Sequence, residues 1–114
     1  MSAKSLDGTL TALADPTRRR VVDLLRRGPR RAGELAAAAK MSAPAMSRHL
    51  RVLRRQGLVD ERRDDDDARA RVYRLRAEPF RALQSWLAEV EGFWEDQLGA
   101  FKAHAERPRA RGRR

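Results

Sequence analysis

Arg48, Arg51 and Arg55 recur along one side of a segment whose other side is apolar. At about 100° per residue, Met46, His49, Leu50 and Leu53 share one helical face, while Pro44, Arg48, Arg51 and Arg55 lie opposite, with Ser47 at the margin. Such a helix buries one side and presents a row of fixed cations on the other. The chemistry open to that row is recognition rather than bond-making. A helix fits the major groove of DNA, its N-terminal residues reach base edges, and arginine donates two hydrogen bonds to guanine. The plainer alternative is a basic face that is merely solvated. Catalysis has little to work with. There is no cysteine nucleophile and no Gly-rich phosphate loop, and His49 sits on the apolar face, where a hydrogen-bonded packing role suits it better than ligation. No enzyme is expected.

The neighbouring elements favour the groove over the solvated face. Ser42 is a good N-cap, Pro44 is tolerated in the first turn, and the helix is expected to run to about Gln56 and stop at Gly57. Before it, "RRAGELAAAAK" reads as a small helix with Leu35, Ala36 and Ala39 facing in, and the short break from Lys40 to Ser42 is helix-turn-helix spacing. Further upstream, Asp15-Pro16 reads as N-cap and N1 proline of a helix ending at Gly28, with Val21, Leu24 and Leu25 buried. Leu6, Leu10 and Leu13 mark a first short helix. After Gly57, "LVDERRD" and "RARVYRLR" alternate as two short strands joined through Asp65 to Ala68. This hairpin reads as a wing whose Arg62, Arg63, Arg69 and Arg71 grip phosphates. Asp64 to Asp67 would repel that same backbone; a solvated turn explains them better than a cation site. Pro79 opens a long last helix through about Ala105. The domain is expected to occupy residues 1–106, and "RPRARGRR" at 107–114, without apolar content, to be a disordered basic tail.

Composition points the same way. The chain has 114 residues and a formal charge of +10, so it holds one small domain with a preference for polyanions. A preference for arginine over lysine suits a GC-rich coding sequence, but that bias does not explain the surplus of bases over acids. Cysteine is absent, which excludes disulfides and thiolate metal sites and fits a cytoplasmic protein; neither a membrane span nor a signal pattern is visible.

Five of the six aromatic residues fall in the last helix: Phe80, Trp86, Phe93, Trp94 and Phe101. With Leu83, Leu87, Val90 and Leu98 they form a stripe roughly 140° wide. Packing onto its own domain is one solution. A small domain already filled by Leu50 and Leu53 has little surface left for it, so a dimer seam is expected, joined by Leu6, Leu10 and Leu13 of the first helix.

Over roughly Leu6 to Ala105 the sequence resembles the ArsR/SmtB family of winged-helix bacterial repressors. The motifs that carry the resemblance are "ALADPTRRRVVDLL", "GELAAAAKMSAPAMSRHLRVLRRQGLV" and "RVYRL", the middle one being the most specific. The resemblance implies a mostly α fold with a small β-hairpin wing, dimeric through its N- and C-terminal helices. It implies a homodimer on an inverted-repeat operator in double-stranded DNA, repressing a nearby promoter. The DNA-binding residues expected are Ser42, Pro44, Ser47, Arg48, Arg51, Arg55, Arg63, Arg69 and Arg71; the dimer residues are Leu6, Leu10, Leu13, Leu83, Leu87, Val90, Trp94, Leu98 and Phe101. A non-sequence-specific architectural or RNA-binding winged helix is the alternative. Metal-sensing members carry a Cys-x-Cys after the leucine matching Leu35, where this chain has Ala36, Ala37 and Ala38; another class uses Asp, His and Glu of the last helix, where His104 stands without a matching Asp-x-His. The similarity is therefore to the cysteine-free branch, and no metal, cofactor or membrane partner is expected. Lys40 replaces the usual turn glycine and Arg31 the usual hydroxyl cap, each at a cost of about 1 kcal/mol.

Overall fold

The computed structural model describes residues 3–106. In chain order they form α1 (Ala3–Leu13), α2 (Pro16–Leu25), β1 (Arg30–Arg31), α3 (Ala32–Ala38), α4 (Ala43–Arg55), β2 (Val59–Arg63), β3 (Arg71–Leu75) and α5 (Ala77–Glu106). The chain divides into two compact units, one through Leu83 and one from Gln84 onward. The basic tail expected at 107–114 lies outside the described residues.

In the first unit the helix boundaries follow from local chemistry. Asp15 takes an extended backbone, and its Oδ1 accepts hydrogen bonds from the N–H groups of Thr17 (2.7 Å) and Arg18 (3.1 Å), with Pro16 in the first turn of α2. Burial pushes the Asp15 carboxyl up, but the two N–H donors, aided by nearby His49 and Arg18, hold it below the ordinary carboxylate range. Arg18 and Arg19 turn back rather than outward. Arg18 Nε donates to the Ala12 carbonyl at 2.6 Å and Nη2 to that of Thr11, while Arg19 Nη1 donates to Leu13 at 2.8 Å. They satisfy the last carbonyls of α1, which have no partner within that helix.

Both helices of the central pair end in the same left-handed motif. At the end of α4, Gly57 takes φ 78°, its N–H reaching Arg54 and the Leu58 N–H reaching the Leu53 carbonyl at 2.9 Å. At the end of α3, the Met41 N–H reaches Ala36 and the Lys40 N–H reaches Ala37, but here Lys40 holds the positive φ, 56°. The motif normally calls for glycine because a Cβ is crowded in that conformation. At the start of α3 the Glu34 carboxylate accepts from the Arg31 N–H at 2.8 Å, so half of a capping box forms although Arg31 supplies no hydroxyl.

The core lies where these helices meet the sheet. Val21 of α2, Leu35 of α3, and Met46, Leu50 and Leu53 of α4 are fully buried with Leu58, and Val59 and Tyr73 close it from the strands. Of the expected inward residues of α2 and α3, Leu24 and Ala39 are only partly buried. The sheet departs from the expected two-stranded hairpin. Arg30 and Arg31 form a third strand, giving the antiparallel order β1-β3-β2 with Arg30 opposite Tyr73 and Tyr73 opposite Glu61. Two residues are too few to show strand periodicity in a sequence. α5 begins at Ala77 rather than Pro79, and Phe80 packs on the core.

In the second unit the helix keeps its period, but none of its residues is buried. Phe93 and Trp94 meet edge to face with ring centroids 5.6 Å apart. Among the described residues, no helix is long and apolar enough to cross a membrane.

Candidate nucleic-acid interface

α4 positions its cations by burying its other side. The Ser42 hydroxyl accepts from the Ala45 N–H at 3.2 Å and starts the helix; Met46, Leu50 and Leu53 then fix its rotation. Ser42, Pro44, Ser47, Arg48, Arg51 and Arg55 are consequently all exposed on one helix. Arg48, Arg51 and Arg55 have no hydrogen-bond or ion-pair partner among the described residues, which leaves their guanidinium groups available to an external anion. His49, on the inner side, is half-buried, with Nδ1 3.4 Å from Nη1 of Arg18. That contact agrees with a packing role.

The wing gathers a second set. Arg62, Arg63 and Arg69 are exposed, and their guanidinium groups are likewise without partners among the described residues. Arg71 differs: its Nε lies 3.4 Å from the Glu61 carboxylate. Arg63 and Arg71 stand directly opposite in the register, so that pairing also relieves a like-charge contact. The acidic run builds the turn between the strands. Asp64 accepts from the Asp66 N–H at 2.9 Å and from Arg31 Nε at 2.8 Å, and Asp67 accepts from the Arg69 N–H at 3.0 Å. Those donors, the Asp66 N–H first and Arg31 next, hold the Asp64 carboxyl below its usual range, and the same pairing raises the Arg31 guanidinium. Asp65 and Asp66 remain exposed.

Between α4 and the strands lies a cleft of about 420 Å³ lined by Ser47, Arg51, Arg54, Arg55, Glu61 and Tyr73. Three of these, Arg54, Glu61 and Tyr73, were not anticipated from the sequence. Glu61 Oε2 accepts from Tyr73 Oη at 2.6 Å and from Arg54 Nη1 at 2.8 Å. Burial first, then the Glu61 contact, pushes the Tyr73 phenol up to about 12. The signal was present in the alternation: strand period places Glu61 on the same face as Val59, and a carboxylate on an inward face needs donors.

Residues 15–61 match the bacterial regulatory protein, arsR family. The chain is 38% identical over 98 residues to the HTH-type transcriptional regulator Rv2034 of Mycobacterium tuberculosis, spanning 86% of each chain. The chain belongs to the ArsR family. A crystal structure of an ArsR family transcriptional regulator, RHA00566, superposes with a TM-score of 0.74 at 37% identity, covering 83% of this chain and 95% of the other. The transcriptional repressor SdpR of Bacillus subtilis is 34% identical over 58 residues, 51% of this chain and 64% of that one. This ArsR-family protein is therefore a DNA-binding transcriptional regulator and not an enzyme. Its fold is a winged helix-turn-helix, with α3 and α4 as the helix pair and the sheet as the wing. Its donor set does not suit a metal at α3, where Ala36, Ala37 and Ala38 offer only methyl groups. Among the described residues no cluster of three or more His, Asp or Glu side chains is placed to hold an ion.

Proposed function

We propose that the protein is a cytoplasmic repressor that binds an inverted-repeat operator in double-stranded DNA as a homodimer, without a metal cofactor. Residues 1–106 serve as the DNA-binding and dimerisation domain. Arg48 and Arg51, in the middle turns of α4, read base edges, with Ser42, Pro44, Ser47 and Arg55 beside them. Arg63 and Arg69 hold phosphates, and Arg71 contributes less because Glu61 already neutralises it. The observation that carries this reading is the row of exposed, unpartnered guanidinium groups on a helix whose opposite side is anchored by the buried Met46, Leu50 and Leu53.

Dimerisation is assigned to α1 and α5. Leu87, Trp94, Leu98 and Phe101 are 50%, 57%, 62% and 70% exposed, far more apolar surface than a soluble single chain leaves to water. Leu10 is 40% exposed, while Leu6, Leu83 and Val90 are half-buried; Leu13 packs partly on the core of its own chain and belongs only to the rim of such a seam.

The test is competition binding on operator and scrambled duplexes. Arg51→Ala should cost roughly 1–3 kcal/mol on the operator and little on scrambled DNA, since a bidentate base contact carries discrimination. Arg69→Ala should weaken both duplexes together. If wild-type protein binds every duplex alike, the reading becomes a non-specific architectural protein. If it prefers RNA, the operator assignment is lost.

A further inference from the structure

One carboxylate joins three elements beneath the DNA-facing side. Glu61 on β2 takes the hydroxyl of Tyr73 on β3 at 2.6 Å, Arg54 of α4 at 2.8 Å, and Arg71 of β3 at 3.4 Å. Sheet register fixes its place, since Glu61 stands directly opposite Tyr73 and Tyr73 directly opposite Arg30. Tyr73 is only 8% exposed, so its hydrogen bond to the carboxylate is largely shielded from water. The same cleft is lined by Ser47, Arg51 and Arg55. An acid there is costly for a protein that attracts phosphates, unless it performs a task that outweighs the repulsion.

We propose that Glu61 is a specificity-determining positioning residue: it locks the wing to α4 and withholds Arg54 and Arg71 from the DNA backbone. A guanidinium paired to a carboxylate releases few counterions on binding, because its charge is already balanced. Withholding two cations lowers affinity for arbitrary duplex and leaves the free guanidinium groups of Arg48 and Arg51 to decide the outcome. The bridge also fixes the angle at which the wing meets α4. Base contacts depend on that angle and bare phosphate contacts do not. Tyr73 serves the same lock, orienting the carboxylate through one short hydrogen bond.

This inference rests on the operator-binding reading, and its test separates the two. Wild-type protein is first measured on operator and scrambled DNA across a salt series; a preference for the operator establishes the reading independently of Glu61. Glu61→Gln keeps the shape and removes the charge. Scrambled-DNA binding should strengthen, and the slope of log affinity against log salt should steepen by about 0.9 for each arginine released. The operator-to-scrambled ratio should fall by about tenfold, the worth of one well-placed bidentate contact. Tyr73→Phe, which leaves both ion pairs, should lower the ratio less and leave the slope unchanged. Melting curves of both variants check the fold. An unchanged slope and ratio in a folded Glu61→Gln protein would overturn the proposal. So would an equal loss on both duplexes accompanied by a lower melting temperature, which marks a purely structural role.

Discussion

α4 and the distal half of α5 carry the same kind of apolar stripe and meet opposite fates. On α4, Met46, Leu50 and Leu53 are at most 1% exposed, covered by the chain itself. On α5, Phe93, Trp94, Leu98 and Phe101 are between 55% and 70% exposed. Periodicity alone does not distinguish the two, because amphipathic order records only that a face must be covered, not by what. The charges on the other side do distinguish them. The outer face of α4 is a row of free arginines, whereas the distal part of α5 carries Glu89, Glu91, Glu95, Asp96 and Glu106 against a single Lys102. One stripe is covered by its own fold, beneath the face proposed to meet DNA. The other lies on an acidic helix that would be repelled by DNA, and in the proposed homodimer a second copy covers it.

Placing a charge on each stripe in turn breaks this comparison most strongly. Trp94→Glu should abolish dimerisation, because desolvating a carboxylate in an apolar seam is costly. Operator affinity should then fall by on the order of 10²–10⁴ through lost avidity, while circular dichroism still reports a folded winged unit. The wild-type melting midpoint should rise with protein concentration and that of Trp94→Glu should not. Leu50→Ala should do the reverse. It opens a cavity in the closed core and costs about 2–5 kcal/mol in urea unfolding, yet the surviving folded protein should still sediment as a dimer. A Trp94→Glu protein that stays dimeric at wild-type affinity, or a Leu50→Ala protein of unchanged stability, would erase the distinction.

What the sequence discloses follows the range of the interactions. Asp15-Pro16, Ser42 and Gly57 are legible because a cap is satisfied within a few residues, and the stripe of α4 because its period is local. The exposed arginines of α4 are legible for the same reason: fixing the buried side fixes the other. The bridge of Arg54, Glu61 and Tyr73 is not, because its partners come from three elements and meet only once β2 and β3 are in register. β1 is invisible at two residues. Arginines in a basic run look alike on paper, yet Arg18 and Arg19 turn back onto the end of α1 while Arg48 and Arg51 remain free. The acidic run shows the same limit: a turn is readable, but the pairing of Asp64 with Arg31 depends on the third strand.

A smaller effect sharpens the comparison inside the helix pair. Lys40 and Gly57 occupy equivalent left-handed positions after α3 and α4, and only one is glycine. Lys40→Gly should stabilise the fold by about 1 kcal/mol, raising the melting temperature by roughly 4–8 °C. No change would mean that the Lys40 backbone carries no strain.

The most direct measurement is a hydroxyl-radical footprint of the full chain on its operator. In the proposed homodimer, two copies of α4 should protect two half-sites about one helical turn, roughly 34 Å, apart. Both footprints should appear over the same narrow concentration range, and both should vanish together in Trp94→Glu. A single protected half-site, or two that fill independently and survive that substitution, would contradict the account.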